Sequence, residues 1–146
     1  MKSIRSILTG RSLLTLTANA TAFEAAQAMD QAHVGCVLVV DDEHKPLGMF
    51  TERDLMTRVI VPGADPNNIR LAKVMTKKLF TAGPDQIIRD VAREMQTRHI
   101  RHLPVIENGA VLAILSLRDL LREHLDTKRQ EVQALTAYIQ GETENT

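Results

Sequence analysis

Tryptophan is absent, and the chain holds one tyrosine and three phenylalanines. A core must therefore be assembled from Leu, Ile, Val, Ala and Met. Cysteine is almost absent too: the single Cys36 excludes an internal disulfide and any multi-cysteine zinc site. It lies in an apolar run, so a buried inert thiol is expected. Neither sign of charge is in excess, because 18 Lys and Arg balance 18 Asp and Glu. That leaves no single-sign field to hold a polyanion, which argues against nucleic acid or an anionic membrane as the main partner. No stretch has transmembrane length, and Met1 to Gly10 lacks the apolar run of a signal peptide. The cytoplasm is the expected setting. What remains is ordinary for a soluble globular protein: 44% apolar and 25% charged residues. The 146 residues suffice for one compact domain or for two short, closely packed repeats.

The chain repeats itself. Placing Met29 on Met95 also aligns Ala26 with Ala92, His33 with His99 and Val39 with Val105. The second copy drops one residue in the following turn, after which Leu47 meets Leu112 and Arg53-Asp54-Leu55 meets Arg118-Asp119-Leu120. A shorter echo precedes each copy, Ser6-Ile7-Leu8-Thr9 against Lys73-Val74-Met75-Thr76.

Each copy has the same plan. In the first, Thr21 and Glu24 form a capping box ahead of a helix with Ala22, Ala25, Ala26 and Met29 on one side. Val37 to Val40 is an apolar run too short for a helix and reads as a buried strand. Asp41 to Pro46 turns, Leu47 to Phe50 returns as a second strand, and a helix runs from Thr51 to about Ile60. In the second copy a helix follows Pro84-Asp85, with Ile87, Ile88, Val91, Ala92 and Met95 facing inward. Strands at Leu103 to Ile106 and Val111 to Leu115 flank Asn108-Gly109, a strong hairpin signal. A final helix begins at Ser116. Val61 to Asn68, with two prolines and a glycine, is a linker. The division is thus a first repeat with its entry segment at 1–60, a linker at 61–68, a second repeat at 69–125 and a helical extension at 126–146. Each copy is too small for an independent core, so the two are expected to pack sheet to sheet about a pseudo-twofold axis.

Two constellations carry chemistry. At the junction of second strand and second helix, copy one reads Gly48-Met49-Phe50-Thr51-Glu52-Arg53-Asp54 and copy two Ala113-Ile114-Leu115-Ser116-Leu117-Arg118-Asp119. A hydroxyl at the helix start and a carboxylate three residues on lie together beside unbonded backbone N–H groups. Such a corner suits a nucleoside, the carboxylate accepting from a ribose diol. A capping box explains the same residues without a ligand. The second constellation is Arg98-His99-Ile100-Arg101-His102-Leu103-Pro104-Val105. Arg101 and His102 stand at a strand mouth, where they could meet phosphate. Pro104 in a strand belongs at an edge or a bulge. His99 and His102 have no third ligand nearby, so no metal site is expected.

The Gly-x-x-Thr-x-x-Asp run with its echo, the Arg-His-Leu-Pro-Val run and the β-α-β-β-α repeat together resemble a tandem pair of cystathionine-β-synthase (CBS) domains, a Bateman module. The resemblance spans about Ile4 to Leu125. It implies an α/β fold, a sheet-packed pseudodimer with two clefts that take AMP, ADP, ATP, NAD or S-adenosylmethionine. Carried over by residue, it implies Asp54 and Asp119 as ribose carboxylates with Thr51 and Ser116 beside them. It also implies Arg101 and His102 at phosphate, Thr9, Leu14 and Val34 around one cleft, and Thr76, Phe80 and Ile100 around the other. Gly35-Cys36 replaces Arg101-His102 in copy one, so the clefts are not expected to be equivalent.

Beyond Leu125 helical character continues, with Leu121, Leu125, Val132, Leu135 and Ile139 on a heptad-like seam interrupted by Lys128. The seam suggests contact between subunits, and the resemblance implies a homodimer through the flanking helices. The expected role is a regulatory nucleotide-binding module acting on a partner protein not named by the sequence. A structural interaction module with vestigial clefts is the alternative. The chain has no glycine-rich phosphate loop, nucleophile–base pair or metal triad, so an enzyme is not expected.

Overall fold

A computed structural model of the chain describes residues 1–11 and 13–144. In the first repeat β1 (Thr15–Thr17) lies parallel to β2 (Cys36–Val40), which pairs antiparallel with β3 (Pro46–Thr51). Helix α1 (Ala22–Ala32) connects β1 to β2 and starts at the expected Thr21 cap, with the Glu24 N–H donating to the Thr21 hydroxyl at 3.2 Å; the return bond of a full capping box, from the Glu24 side chain, is not formed among the described residues. Every residue of β2 is buried, because both its faces are covered. Val37 and Val39 face the first repeat's own core, with Ala25, Met29 and Phe50. Cys36, Leu38 and Val40 face the other way, against Val111 and Ile114 of the second repeat. After β3, one α-helical turn, α2 (Glu52–Asp54), widens into a π-helical turn at Leu55–Ile60 and stops at the linker.

The second repeat repeats the scheme with α3 (Leu71–Val74), α4 (Ile88–Thr97), β4 (His102–Glu107), β5 (Ala110–Ser116) and α5 (Leu117–Glu144). Asn108 and Gly109 both take positive φ, 53° and 80°, as a two-residue hairpin of this twist requires. Helix α4 buries Ile88, Val91, Ala92 and Met95 of the stripe read from the sequence, while Ile87, read with them, is its half-buried N-cap. One difference follows from a single residue. In the first repeat the Leu38 N–H donates to the Leu14 carbonyl at 2.9 Å and helps hold β1 against β2. The equivalent of Leu38 is Pro104, which has no N–H to give. The second sheet accordingly has two strands, and its entry segment contributes only the bridge between Ala82 and Val105. Pro104 thus occupies an edge, as proline in a strand must.

The segment that precedes each repeat completes the core of the other. Ile4, fully buried, sits among Val91, Met95, Leu103 and Leu115 of the second repeat. It is held by Ile4 N–H to the Gln86 carbonyl at 2.9 Å, and Arg5 adds ion pairs to Asp85 and Glu107. Leu71, Val74 and Met75 lie in the core of the first repeat, and the Leu71 N–H donates to the Ala20 carbonyl at 2.9 Å. Burying one such aliphatic side chain is worth about 1.5–3 kcal/mol. Each repeat therefore draws part of its core from the other's entry segment, which is why neither is complete alone.

Candidate functional site

The two strand-to-helix junctions share their local bonding. The Asp54 N–H donates to the Thr51 hydroxyl and the Thr51 N–H to the Asp54 carboxylate, both at 3.1 Å. Asp119 and Ser116 repeat the pair at 3.0 and 3.1 Å. Each hydroxyl–carboxylate pair is thus a reciprocal cap. What lies around the two carboxylates differs.

Asp54 is saturated. The Thr76 hydroxyl donates to both its oxygens at 3.3 Å, and Arg58 reaches Oδ1 at 3.4 Å. Arg58 also donates to the Met75 carbonyl, so this corner is closed by the chain's own groups. Asp119 is more open, with 29% of its side chain exposed against 11% for Asp54. Its Oδ2 accepts from the Ser116 N–H and from Arg11 at 3.1 Å, and no described residue bonds Oδ1. Burial acts to raise the Asp119 pKa, but the Ser116 hydrogen bonds and the Arg11 charge outweigh it, and the net shift is downward. The carboxylate is ionised and, among the described residues, has an acceptor to spare.

Asp119 opens on a cleft of about 1780 Å³ between the repeats. Leu14, Val34, Arg101, His102 and Ser116 line it, so six of the residues the resemblance implied come together there, Asp119 included. Burial lowers the His102 pKa; Glu52 and Asp119 push it up and Arg101 down, and the result keeps the imidazole neutral near pH 7. Thr9 is exposed, and its neighbours Gly10 and Arg11 line the cleft instead. Thr51, Asp54 and Thr76 form the closed corner. Phe80 and Ile100 pack on the second repeat's core, and the Arg98 guanidinium lies 4.6 Å from the Phe80 ring centre. Sequence reasoning missed Arg11, Arg118 and Arg122 on the cleft wall. Arg118 adjoins Asp119 and Arg122 is one helical turn on, so both were within reach of the helix period. Arg11 was not, since a loop brings it there. Among the described residues no three His, Cys, Asp or Glu side chains cluster as a metal site would need.

The CBS domain family matches residues 4–61 and 71–126. The chain is a CBS domain protein with two such repeats in tandem. It is 33% identical over 134 residues to the CBS domain-containing protein CBSX3, mitochondrial, of Arabidopsis thaliana, covering 89% of this chain and 65% of that one. It is 31% identical to the CBS domain-containing protein YhcV of Bacillus subtilis, covering 82% and 84%. The chain thus spans just under two thirds of the Arabidopsis relative's length. Among solved structures it resembles a putative signal-transduction protein with CBS domains from Burkholderia ambifaria. That match has a TM-score of 0.81 and 26% identity, over 86% of this chain and 95% of that one. An uncharacterized conserved protein from Pyrococcus horikoshii superposes with TM-score 0.77 at 32% identity, over 84% and 91%. CBS pairs are commonly regulatory, ligand-binding modules, and proteins made of CBS domains alone are generally non-catalytic. No helix among the described residues is long and apolar enough to cross a membrane.

Proposed function

We propose that this CBS pair is a regulatory module that binds an adenosyl nucleotide in the cleft beside Asp119 and passes its occupancy to a partner protein. AMP, ADP, ATP, NAD and S-adenosylmethionine are the ligands to be considered. The observation that carries the reading is the unequal state of the two carboxylates: Asp119 keeps an oxygen that no described residue bonds, on a cleft, while Asp54 is filled by Thr51, Thr76 and Arg58. On this reading Asp119 accepts from the ribose diol, with Ser116 beside it. Leu14 and Val34 supply apolar walls to the base, and Arg101 and His102 face phosphate. Thr51, Asp54 and Thr76 serve as a latch holding the second entry segment to the first repeat.

Calorimetry separates the two roles. Asp119→Ala should weaken nucleotide binding by roughly ten- to a hundredfold, the cost of one charge-assisted hydrogen bond. Asp54→Ala should instead lower stability by about 1–3 kcal/mol and leave affinity nearly intact. Equal losses of affinity would mean that both corners bind ligand. Failure of all five nucleotides at millimolar concentration would favour the second reading, a structural interaction module, for which the exposed apolar stripe on α5 speaks.

A further inference from the structure

The Asp119 cleft is larger, and more basic on one wall, than a base and ribose require. Its volume of about 1780 Å³ exceeds the roughly 300–1,000 Å³ of most small-molecule pockets. That wall is one face of α5, where Arg118, Arg122 and Arg129 line the cleft with Asp119. At ~1.5 Å of rise per residue the face extends about 15 Å from Asp119 to Arg129. Arg11 is paired with Asp119, and Arg129 lies 4.0 Å from Asp126. Arg101, Arg118 and Arg122 form no ion pair among the described residues. The remaining acids of the cleft, Asp30 and Glu52, belong to α1 and α2. Cations without counter-ions along one wall of a cleft attract anions, and guanidinium groups match phosphate oxygens in pairs.

Resting on the nucleotide reading above, we infer that this cleft selects its ligand by the phosphate chain. Asp119 takes the ribose, and Arg101, Arg118 and Arg122 take the second and later phosphates. The ligand class is a nucleoside di- or triphosphate, preferred over the nucleoside, the monophosphate and S-adenosylmethionine, whose sulfonium is repelled by the same arginines.

Calorimetry on the full chain with adenosine, AMP, ADP, ATP, S-adenosylmethionine and inorganic triphosphate, at low and high salt, tests the inference. Affinity should climb from adenosine to ATP, by roughly three- to tenfold per added phosphate. The ATP arm should weaken most with salt, and S-adenosylmethionine should bind below ADP. Replacing Arg118→Gln and Arg122→Gln together should shrink the ATP-to-AMP affinity ratio by about tenfold, with the melting temperature of the unliganded protein as the check on folding. A flat series from adenosine to ATP, or an unchanged ratio in the double variant, overturns phosphate selection and leaves the nucleotide reading standing. Inorganic triphosphate binding as tightly as ATP overturns the role of Asp119 at ribose. No binding by any ligand overturns both readings.

Discussion

His33 and His99 stand at equivalent helix ends, and both take the left-handed conformation, with φ of 54° and 56°. Glycine is usual at this helix-terminating position. The aligned histidines thus mark where each helix must reverse into its strand, which accounts for one repeated residue without a ligand. His102 is different, since it lines the cleft and burial depresses its pKa below the ordinary 6.5. Protons then bind the unfolded chain more readily than the folded one. Stability should therefore be full above about 6.5 and be lost as pH falls from there through the lower folded value. Melting temperatures should fall across that window and stay low below it, a fall that His102→Asn reduces; an identical pH profile in the variant would remove His102 as its source. Cys36, its thiol pushed up to about 12 by burial and then by the Asp54 charge, is the inert packing group its apolar run suggested.

Among the elements, the two repeats differ where the sequence breaks its own symmetry. Gly48 aligns with Ala113, and the reason is tertiary. The Met49 N–H donates to the Thr76 carbonyl at 2.9 Å, which brings the second entry segment against β3. A Cβ on Gly48 would stand 2.6 Å from that carbonyl oxygen and 3.1 Å from the Met75 sulfur. Gly48→Ala should therefore cost about 1–3 kcal/mol by denaturant melts, and the mirror change Ala113→Gly should cost less. Equal effects would mean that the backbone approach is not what excludes a side chain. The helices after the second strands diverge as well. The first widens into a π turn and ends by Val61, while the second continues to Glu144. Arg58, on the π turn, is the cation that reaches Asp54. The helix start was legible from its cap; the π turn was not, because nothing in a hydrophobic period distinguishes it from an ordinary helix.

At the scale of the whole molecule, α5 serves two surfaces at once. Its first turns line the cleft, and beyond them Leu125, Val132 and Leu135 are 56%, 63% and 60% exposed. Contiguous apolar patches of this kind mark contact sites in soluble proteins. The heptad spacing fits a second helix of the same kind, and a homodimer through α5 is expected. Light scattering on the full chain and on one stopped after Thr127 should find a dimer and a weakened dimer respectively. A monomeric full chain would remove the dimer, and a truncated chain of unchanged affinity would assign the stripe another role. Leu125 belongs both to the cleft wall and to the stripe. A ligand that alters the Leu125 surface would link binding to association, each shifting the other by the same factor.

The sequence by itself determined the repeat, the order of elements, the caps at Thr51 and Ser116, the hairpin at Asn108-Gly109 and the buried β2. All of these rest on local chemistry or on a short period, and such signals lie within a few residues of one another. Tertiary structure decided which carboxylate is open. Asp54 and Asp119 each stand between an arginine and a leucine; one turn on, Arg58 has Glu123 as its counterpart, a difference the chain shows locally, but only folding brings Thr76 to the one and Arg11 to the other. It also decided that each entry segment completes the opposite repeat, since Ile4 and Leu71 would suit either core by composition. Contacts between residues far apart in sequence carry no period to read, and here they set the difference between a closed corner and a cleft.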